Sequence, residues 1–552
     1  LKILFTIFFL AMCVRVDAQW VTNAASLNEV DVTNAINNAP AGSTINLPVG
    51  TNTWTVTCVI TNNVMVIGSG NTTKIVDAIP NANWAGLISW NTLSNYNQCE
   101  ISNMWIEGGS QSSSDSDAQG EITFNNGFCP VCHVSHVYFH NLLNCAVEFL
   151  NGNYGCLDHC TATTTNFTDT LVEGFNGGLG GIPTADTGNA YGDESWATAV
   201  QWGGTNEWIY AEYNYVSNST YIGANDALDG TRMVYRYNTN YNTYFQTHGT
   251  ETGTRYRSGR AFEVYSNVWT MTNPTYTNSN TFAGARGGSG VIFGNTVIGY
   301  GSSCMNLVCY RTAEAFGSFY AANGYNPWDT NGAIVASGTF NGTTGQHYLT
   351  DTTSNWTANQ YVGGINGLTN LGYEVVDVTQ GGTNYNFQYS VGEPQVVFGS
   401  IVSNDTHDVY ATGDRFGDCI SWTNGDKYQI IVIYATIDQP GRGQGDLITD
   451  NGTIGNPINS VTGRTNWPNE TLEPWYDWSN TNNGALTGFG TNVPTAGCGD
   501  QVAATIIPNR DYYDYTVKPG YVPLGQHPLD IIATNPVVAQ ASGGMPPVFF
   551  GQ

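Results

Sequence analysis

Four short stretches decide the fold: AEYNYVSN at 211–218, YRYNTNYN at 235–242, VYSNVWTM at 264–271 and FGNTVIGY at 293–300. Each mixes aromatic or β-branched residues with polar ones around a central asparagine, the pattern of a short strand that ends in a turn. Three similar pieces lie upstream, ISNMWIEG (101–108), VSHVYFHN (134–141) and CLDHCTAT (156–163). Aligned on one polar pivot, the seven give Asn103, His136, His159, Asn214, Asn238, Asn267 and Asn295, separated by 33, 23, 55, 24, 29 and 28 residues. The interval of 55 is two periods or one long excursion. A period in the twenties marks a solenoid, in which each repeat buries its core only against the next. Short strands exclude helical repeats. The sequence therefore predicts an all-β protein, a right-handed parallel β-helix whose rungs stack about 4.8 Å apart, with the pivot residues forming a structural ladder.

Composition agrees. The 552 residues include 65 Gly, 32 Tyr and 15 Trp, and only 11% are charged. The formal net charge of -27 repels phosphate backbones, so no nucleic-acid partner is expected. Lys2, the apolar run ILFTIFFLAMCV and VDAQ read as an export leader cleaved after Ala18, which predicts a secreted or periplasmic protein. No later stretch approaches ~18 consecutive apolar residues, so no membrane span is expected. Eleven cysteines follow the leader, an odd number that leaves at least one thiol unpaired in a monomer.

Four regions follow from these patterns: a signal peptide over 1–18, a β-helix over 19–331, an inserted β module over 332–431 and a C-terminal segment over 432–552. Val32, Ala35, Ile36 and Ala39 have helical spacing and predict a short N-terminal capping helix. The inserted module breaks the repeat. The C-terminal segment, rich in proline and aromatics, is expected to pack on the solenoid or cap its open end.

Positive charge is scarce and concentrated. Of eleven arginines after the leader, Arg232, Arg236, Arg255, Arg257, Arg260 and Arg286 fall within 55 residues. Asp229, Ser258 and Arg286 each lie nine residues before their pivot, and Asp226 and Arg255 each twelve. Preserved register would set carboxylates of one rung beside guanidinium groups of the next. Two readings stay open: an anion-binding groove, because guanidinium grips carboxylate bidentately, or a structural ladder pairing the arginines with Asp226, Asp229, Glu251 and Glu263. His248 is a candidate for proton transfer near neutral pH. Trp202 and Trp208, in a stretch dense with aromatics, are candidate sugar platforms or packing residues. Cys129, Cys132, Cys156, His159 and Cys160 have closely spaced pairs that invite zinc, but in an exported chain disulfides or buried thiols are the favoured reading.

Two segments carry a family resemblance. LDHCTATTTNFTDTLVEG (157–174) resembles the WIDHC element and following acidic pair of pectate lyases, and RYRSGRAFEVYSN (255–267) resembles their RxPxxR element. The resemblance spans Ala146 to Asn267 and places the chain among pectin-lyase-like β-helices. It implies cleavage of an acidic polysaccharide by β-elimination, with Arg255 as the base, Arg260 as the second arginine, and Ca²⁺ bound through Asp169 and Glu173. Arg257, Arg286, Asp226, Asp229, Trp202 and Trp208 would contact substrate. The chain departs from the pattern at Arg257, which stands at the motif's proline, at Glu173 in place of an aspartate, and at Cys145 where a calcium-binding aspartate is expected. No lysine lies near Tyr221 to match the family's substrate-binding lysine. A glycoside hydrolase acting through paired carboxylates and a non-catalytic glycan-binding adhesin are the alternative functions.

Overall fold

The computed structural model describes residues 20–80, 86–91, 99–108, 120–125, 129, 131–142, 145–150, 152–164, 171–175, 195–196, 198–203, 207–247, 258–277, 281–301, 303–307, 334–362, 371–377, 379, 397–412, 421–434, 438, 440–443, 471–491, 506, 508–523 and 529. Among them, Cys99–Glu107, Cys132–His140, Gly155–Asp158, Ile209–Glu212, Arg232–Arg236, Ala261–Tyr265, Ser289–Phe293 and Trp475–Trp478 form one long sheet. Every pairing along this series is parallel. Parallel neighbours cannot be joined by a tight hairpin, so the chain winds once around the core between one strand and the next. The result is the right-handed parallel β-helix expected. Gly155–Asp158 pairs directly with Ile209–Glu212, so the 55-residue interval is a single excursion.

Inward residues stack in columns. Ile101, Val134, Leu157, Ala211, Tyr235, Val264 and Ile292 are successive register partners, and all are fully buried. A second parallel sheet supplies another wall: Cys58–Ile60, Ile88–Trp90, Ile122–Phe124, Val147–Leu150, Val172–Phe175 and Asn225–Leu228. Its inward rings Trp90, Phe124 and Phe149 stack at 5.2 Å intervals. Glu29–Asn37 forms the N-terminal helix, with Val32 and Ile36 buried in the same core. No helix among the described residues is long and apolar enough to cross a membrane.

The long sheet ends at a sharp corner, and the corner corrects the repeat alignment. Asn103, His136, His159, Tyr213, Tyr237, Ser266 and Ser479 all have φ between 50° and 57°, and Gly294 has 63°. Asn214, Asn238, Asn267 and Asn295 stand one residue later, beside Met104, Val137 and Cys160 in the earlier rungs. The seven pivots thus mix two adjacent positions. Asparagine serves both, tolerating the left-handed conformation at one and bridging rungs through its amide at the other. Asn238 Nδ2 donates to Asn267 Oδ1 at 3.1 Å and to the Ala211 carbonyl at 2.9 Å, and Asn267 Nδ2 repeats the pattern to Asn295 and Tyr235. Asn295 Nδ2 then donates to Asn480 Oδ1 at 2.9 Å across a chain separation of 185 residues.

That separation holds an antiparallel sheet of Ile334–Thr339, Leu349–Thr350, Leu371–Asp377, Val397–Asn404, Asp408–Thr412 and Lys427–Tyr434, packed on its own core of Phe340, Trp422, Tyr428 and Ile430. After it the solenoid resumes. Trp475–Trp478 adds a rung in parallel, Thr481–Asn482 follows it around the corner, and Tyr512–Tyr513 pairs beyond.

Candidate functional site

The second sheet carries an acidic column. Val147 and Phe149 point into the core, so Glu148 between them faces outward. Register places Ser89, Thr123, Glu148, Glu173 and Asp226 at equivalent positions on five consecutive strands. Three acidic residues therefore occupy successive rungs about 4.8 Å apart. Glu148 Oε2 accepts a hydrogen bond from Thr123 Oγ1 at 3.0 Å, and Asp226 Oδ1 accepts one from the Ala227 N–H at 2.8 Å. Both residues are largely shielded from solvent. Asn225, beside Asp226, locks the next rung: its Nδ2 donates to the Gln246 carbonyl at 2.6 Å and its Oδ1 accepts the Gln246 N–H at 3.1 Å.

A guanidinium group lies at the end of that neighbouring rung. Thr247 ends the strand Thr239–Thr247 and is in register with Ala285. Arg286 Nε donates to the Thr247 carbonyl at 3.1 Å. Arg255, Arg257 and His248 lie outside the described residues, as does Asp169, but both ends of their segment are placed. Thr247 is one end, and the Ser258 carbonyl at the other accepts the Gly230 N–H at 3.0 Å, immediately after Asp229.

The chain turns from the acidic column into the long sheet through Asp229 to Thr231, and this turn is followed by Arg232. Arg232 pairs in register with Ala261, so Arg260 falls at the same corner of the next rung. Both guanidinium groups are buried. Arg232 Nη2 donates to the Ser195 and Thr198 carbonyls at 2.8 and 3.0 Å. Burial and the neighbouring positive charge of Arg260 pull Arg232 down to about 10. Arg260 forms an ion pair with Glu473, bonds Ser289 Oγ at 3.3 Å, and lies 5.1 Å from the Trp196 ring. Its Nε and Nη2 have no hydrogen-bond partner among the described residues.

Aromatics and a lysine continue this corner. Lys518 Nζ lies 4.6 Å from the Trp202 ring and 4.9 Å from the Tyr476 ring. Burial pulls the lysine below its ordinary range, with Glu473 opposing. Trp202 is partly exposed and meets Trp208 edge-on at 5.9 Å, whereas Trp208 is fully buried and supports it from beneath. Glu263 accepts from Tyr521 Oη at 2.6 Å and from the Gly203 N–H at 2.7 Å. Arg260 therefore pairs with Glu473 from beyond the insertion, a partner that the repeat spacing could not suggest.

Asp158 and His159 belong to a different cluster. His133 lies between two carboxylates, 3.0 Å from Asp158 Oδ2 and 3.5 Å from Glu100 Oε2, while His159 Nδ1 lies 3.1 Å from Asp158 Oδ1. Burial alone would depress His133, but Asp158 and Glu100 outweigh it and push the imidazole up to about 10. Burial would likewise raise Asp158, but the two histidines hold it well below the carboxylate range. This pairing stabilises fully above the unfolded Asp value of about 3.9 and below the unfolded His value of about 6.5. It is lost as pH falls through the depressed Asp158 value, and again as pH rises towards about 10. Asp158→Asn is thus expected to lower the melting temperature most between about pH 4 and 6.5, with the difference from wild type shrinking at pH 10. A pH-independent difference would show that the charge pairing does not matter.

The zinc set suggested by the cysteine spacing does not converge. Cys129 and Cys132 meet Cys99, Cys156 lies with Asp158 and Glu212, and Cys160 Sγ accepts the Val137 N–H at 3.4 Å inside the core. All eight described cysteines are unbridged and buried.

Neither a family model nor a curated protein matches the chain. Among solved structures it is similar to a PL6 family polysaccharide lyase from Pseudopedobacter saltans, at 14% identity and a TM-score of 0.34, over 53% of this chain and 66% of that one. It is also similar to the A-module of a mannuronan C-5 epimerase from Azotobacter vinelandii (12%, 0.27, 52% and 72%) and to an alginate lyase from a Paenibacillus species (13%, 0.28, 50% and 95%). The acidic column and the arginine corner rest on this chain's own residues.

Proposed function

We propose that the chain binds an acidic polysaccharide across the acidic column and the arginine corner and cleaves it by β-elimination. The observation that carries this reading is the column of Glu148, Glu173 and Asp226 in register beside a guanidinium-rich corner. Acidic residues at successive register positions suit Ca²⁺, which takes 6–8 oxygen ligands at about 2.3–2.6 Å. Glu148, Glu173 and Asp226 would hold it. Bound there, the ion would neutralise a uronate carboxylate and so acidify the adjacent C–H. Arg286 would add positive charge for neighbouring sugar carboxylates, and Trp202 would offer a partly exposed ring to a sugar face.

The base removes the proton α to the carboxylate, those electrons form the C=C bond, the glycosidic C–O bond breaks, and the leaving oxygen takes a proton. His248 can accept a proton near neutral pH. Arg255 can do so only where surrounding positive charge and desolvation lower its affinity for its own proton. Their segment joins Thr247 to Ser258, and the Ser258 carbonyl accepts the Gly230 N–H just after Asp229, which supports a place near the column.

The test offers polygalacturonate, alginate and sulfated glycans to the purified chain and follows ultraviolet absorbance of unsaturated ends. Absorbance is expected to grow on a polyuronate with Ca²⁺ and to stop when the ion is chelated. New reducing ends without absorbance would instead indicate hydrolysis by the paired carboxylates. Binding without any product would indicate an adhesin.

A further inference from the structure

The thiols of Cys99, Cys129 and Cys132 converge in the core of the solenoid. All three are fully buried, and their sulfurs lie within 4.8 Å of one another. Cys99 and Cys132 are register partners on adjacent strands, and Cys129 reaches the same point from the other end of a C-x-x-C loop. Cys99 Sγ and Cys129 Sγ are 3.8 Å apart. Two N–H donors are directed at the sulfurs: Asn63 Nδ2 donates to Cys99 Sγ at 3.0 Å, and the Val131 N–H bonds Cys129. N–H donors favour thiolate over thiol.

We propose that these three cysteines bind one soft, closed-shell metal ion, Cu(I), in a three-coordinate thiolate site. A metal–sulfur bond of about 2.3 Å gives a sulfur–sulfur edge of about 4.0 Å in a trigonal plane, close to the spacing already present. Thiolate ligands select Cu(I) or Zn(II) over hard ions. Structural zinc takes four ligands, and among the described residues no fourth His, Cys, Asp or Glu joins the group. Buried thiols also pack as small hydrophobes, but packing alone does not explain why two polar N–H groups are directed at these sulfurs in an apolar core.

The experiment titrates Cu(I) into the fully reduced, anaerobic protein against a chromophoric Cu(I) chelator, with the ultraviolet sulfur-to-copper charge-transfer band as a second readout. One equivalent is expected to be withdrawn from the chelator. Cys99→Ala and Cys129→Ala should each weaken this at least 100-fold, while Cys160→Ala, which removes a core thiol outside the group, should leave it unchanged. Circular dichroism identifies any variant that fails to fold, and Cys129→Ser then replaces it. The proposal is overturned if the reduced wild type cannot compete with the chelator, if the Cys99 and Cys129 variants bind as tightly as wild type, or if Zn(II) displaces Cu(I) stoichiometrically.

Discussion

Asn267→Ala is expected to lower the melting temperature by on the order of 10 °C, because the side chain satisfies four buried groups at once. Its Oδ1 accepts from the Asn238 N–H at 2.8 Å and from Asn238 Nδ2 at 3.1 Å, and its Nδ2 donates to Asn295 Oδ1 at 3.0 Å and the Tyr235 carbonyl at 2.9 Å. Some of those partners keep another bond, since Asn238 Nδ2 also reaches Ala211 and Asn295 Oδ1 also accepts the Asn267 N–H. The Asn238 N–H loses its side-chain acceptor. Each buried polar group left unsatisfied costs about 1–3 kcal/mol, so a loss of about 4 kcal/mol is expected. At roughly 2–4 °C per kcal/mol for a domain of a few hundred residues, this is readily measured by calorimetry. Asn267→Asp should be nearly as damaging, because a carboxylate accepts but cannot donate to Asn295 and Tyr235. A shift below 2 °C in both variants would mean that water or backbone adjustment replaces the ladder.

The same ladder explains what the sequence revealed. Its asparagines recur at a fixed place because the corner geometry repeats in each rung, so the solenoid was visible from periodicity. The register was not. Asn103 serves in the left-handed position and Asn214 in the bridging position, and a pattern of residue types cannot distinguish the two. Asn480 escaped detection because an antiparallel module separates it from its partner Asn295 by 185 residues.

The site shows the same division. Arg232 and Arg260 do meet at one corner, as their crowding suggested, but Arg260 pairs with Glu473 and lies near Lys518, which reach it only through the fold. The acidic column was half visible. Asp226 and Glu173 stood out as candidates in separate roles, and Glu148 did not stand out at all. Loops of unequal length separate the three residues, so their alignment depends on strand register rather than on sequence spacing. The strongly shifted His133 was missed for a related reason: Glu100, His133 and Asp158 come from three different rungs.

Asp226→Asn separates a functional column from a structural one. Asparagine preserves the shape of the side chain, and its Oδ1 can still accept the Ala227 N–H that Asp226 Oδ1 holds at 2.8 Å. That bond is therefore kept, and any fall in the metal-free melting temperature reports the residue's other contacts. What disappears is one of three negative charges at successive rungs, and with it much of the affinity for a divalent cation, which depends on the number of charged ligands. Wild type at 100 times the dissociation constant of Ca²⁺ should gain about 2.7 kcal/mol through linkage, seen as a rise of several degrees that the variant lacks. Turnover on the polyuronate found by the absorbance assay should drop about 10²–10³-fold, the scale of losing one preorganised electrostatic contact. Glu148→Gln should behave in the same way, because it removes the same charge while its amide can still accept from Thr123. If either variant keeps both full turnover and the calcium-induced rise, the column is not where the ion acts. If both variants lose metal-free stability, the carboxylates are structural partners of neighbouring cations and the arginine corner alone must account for any activity.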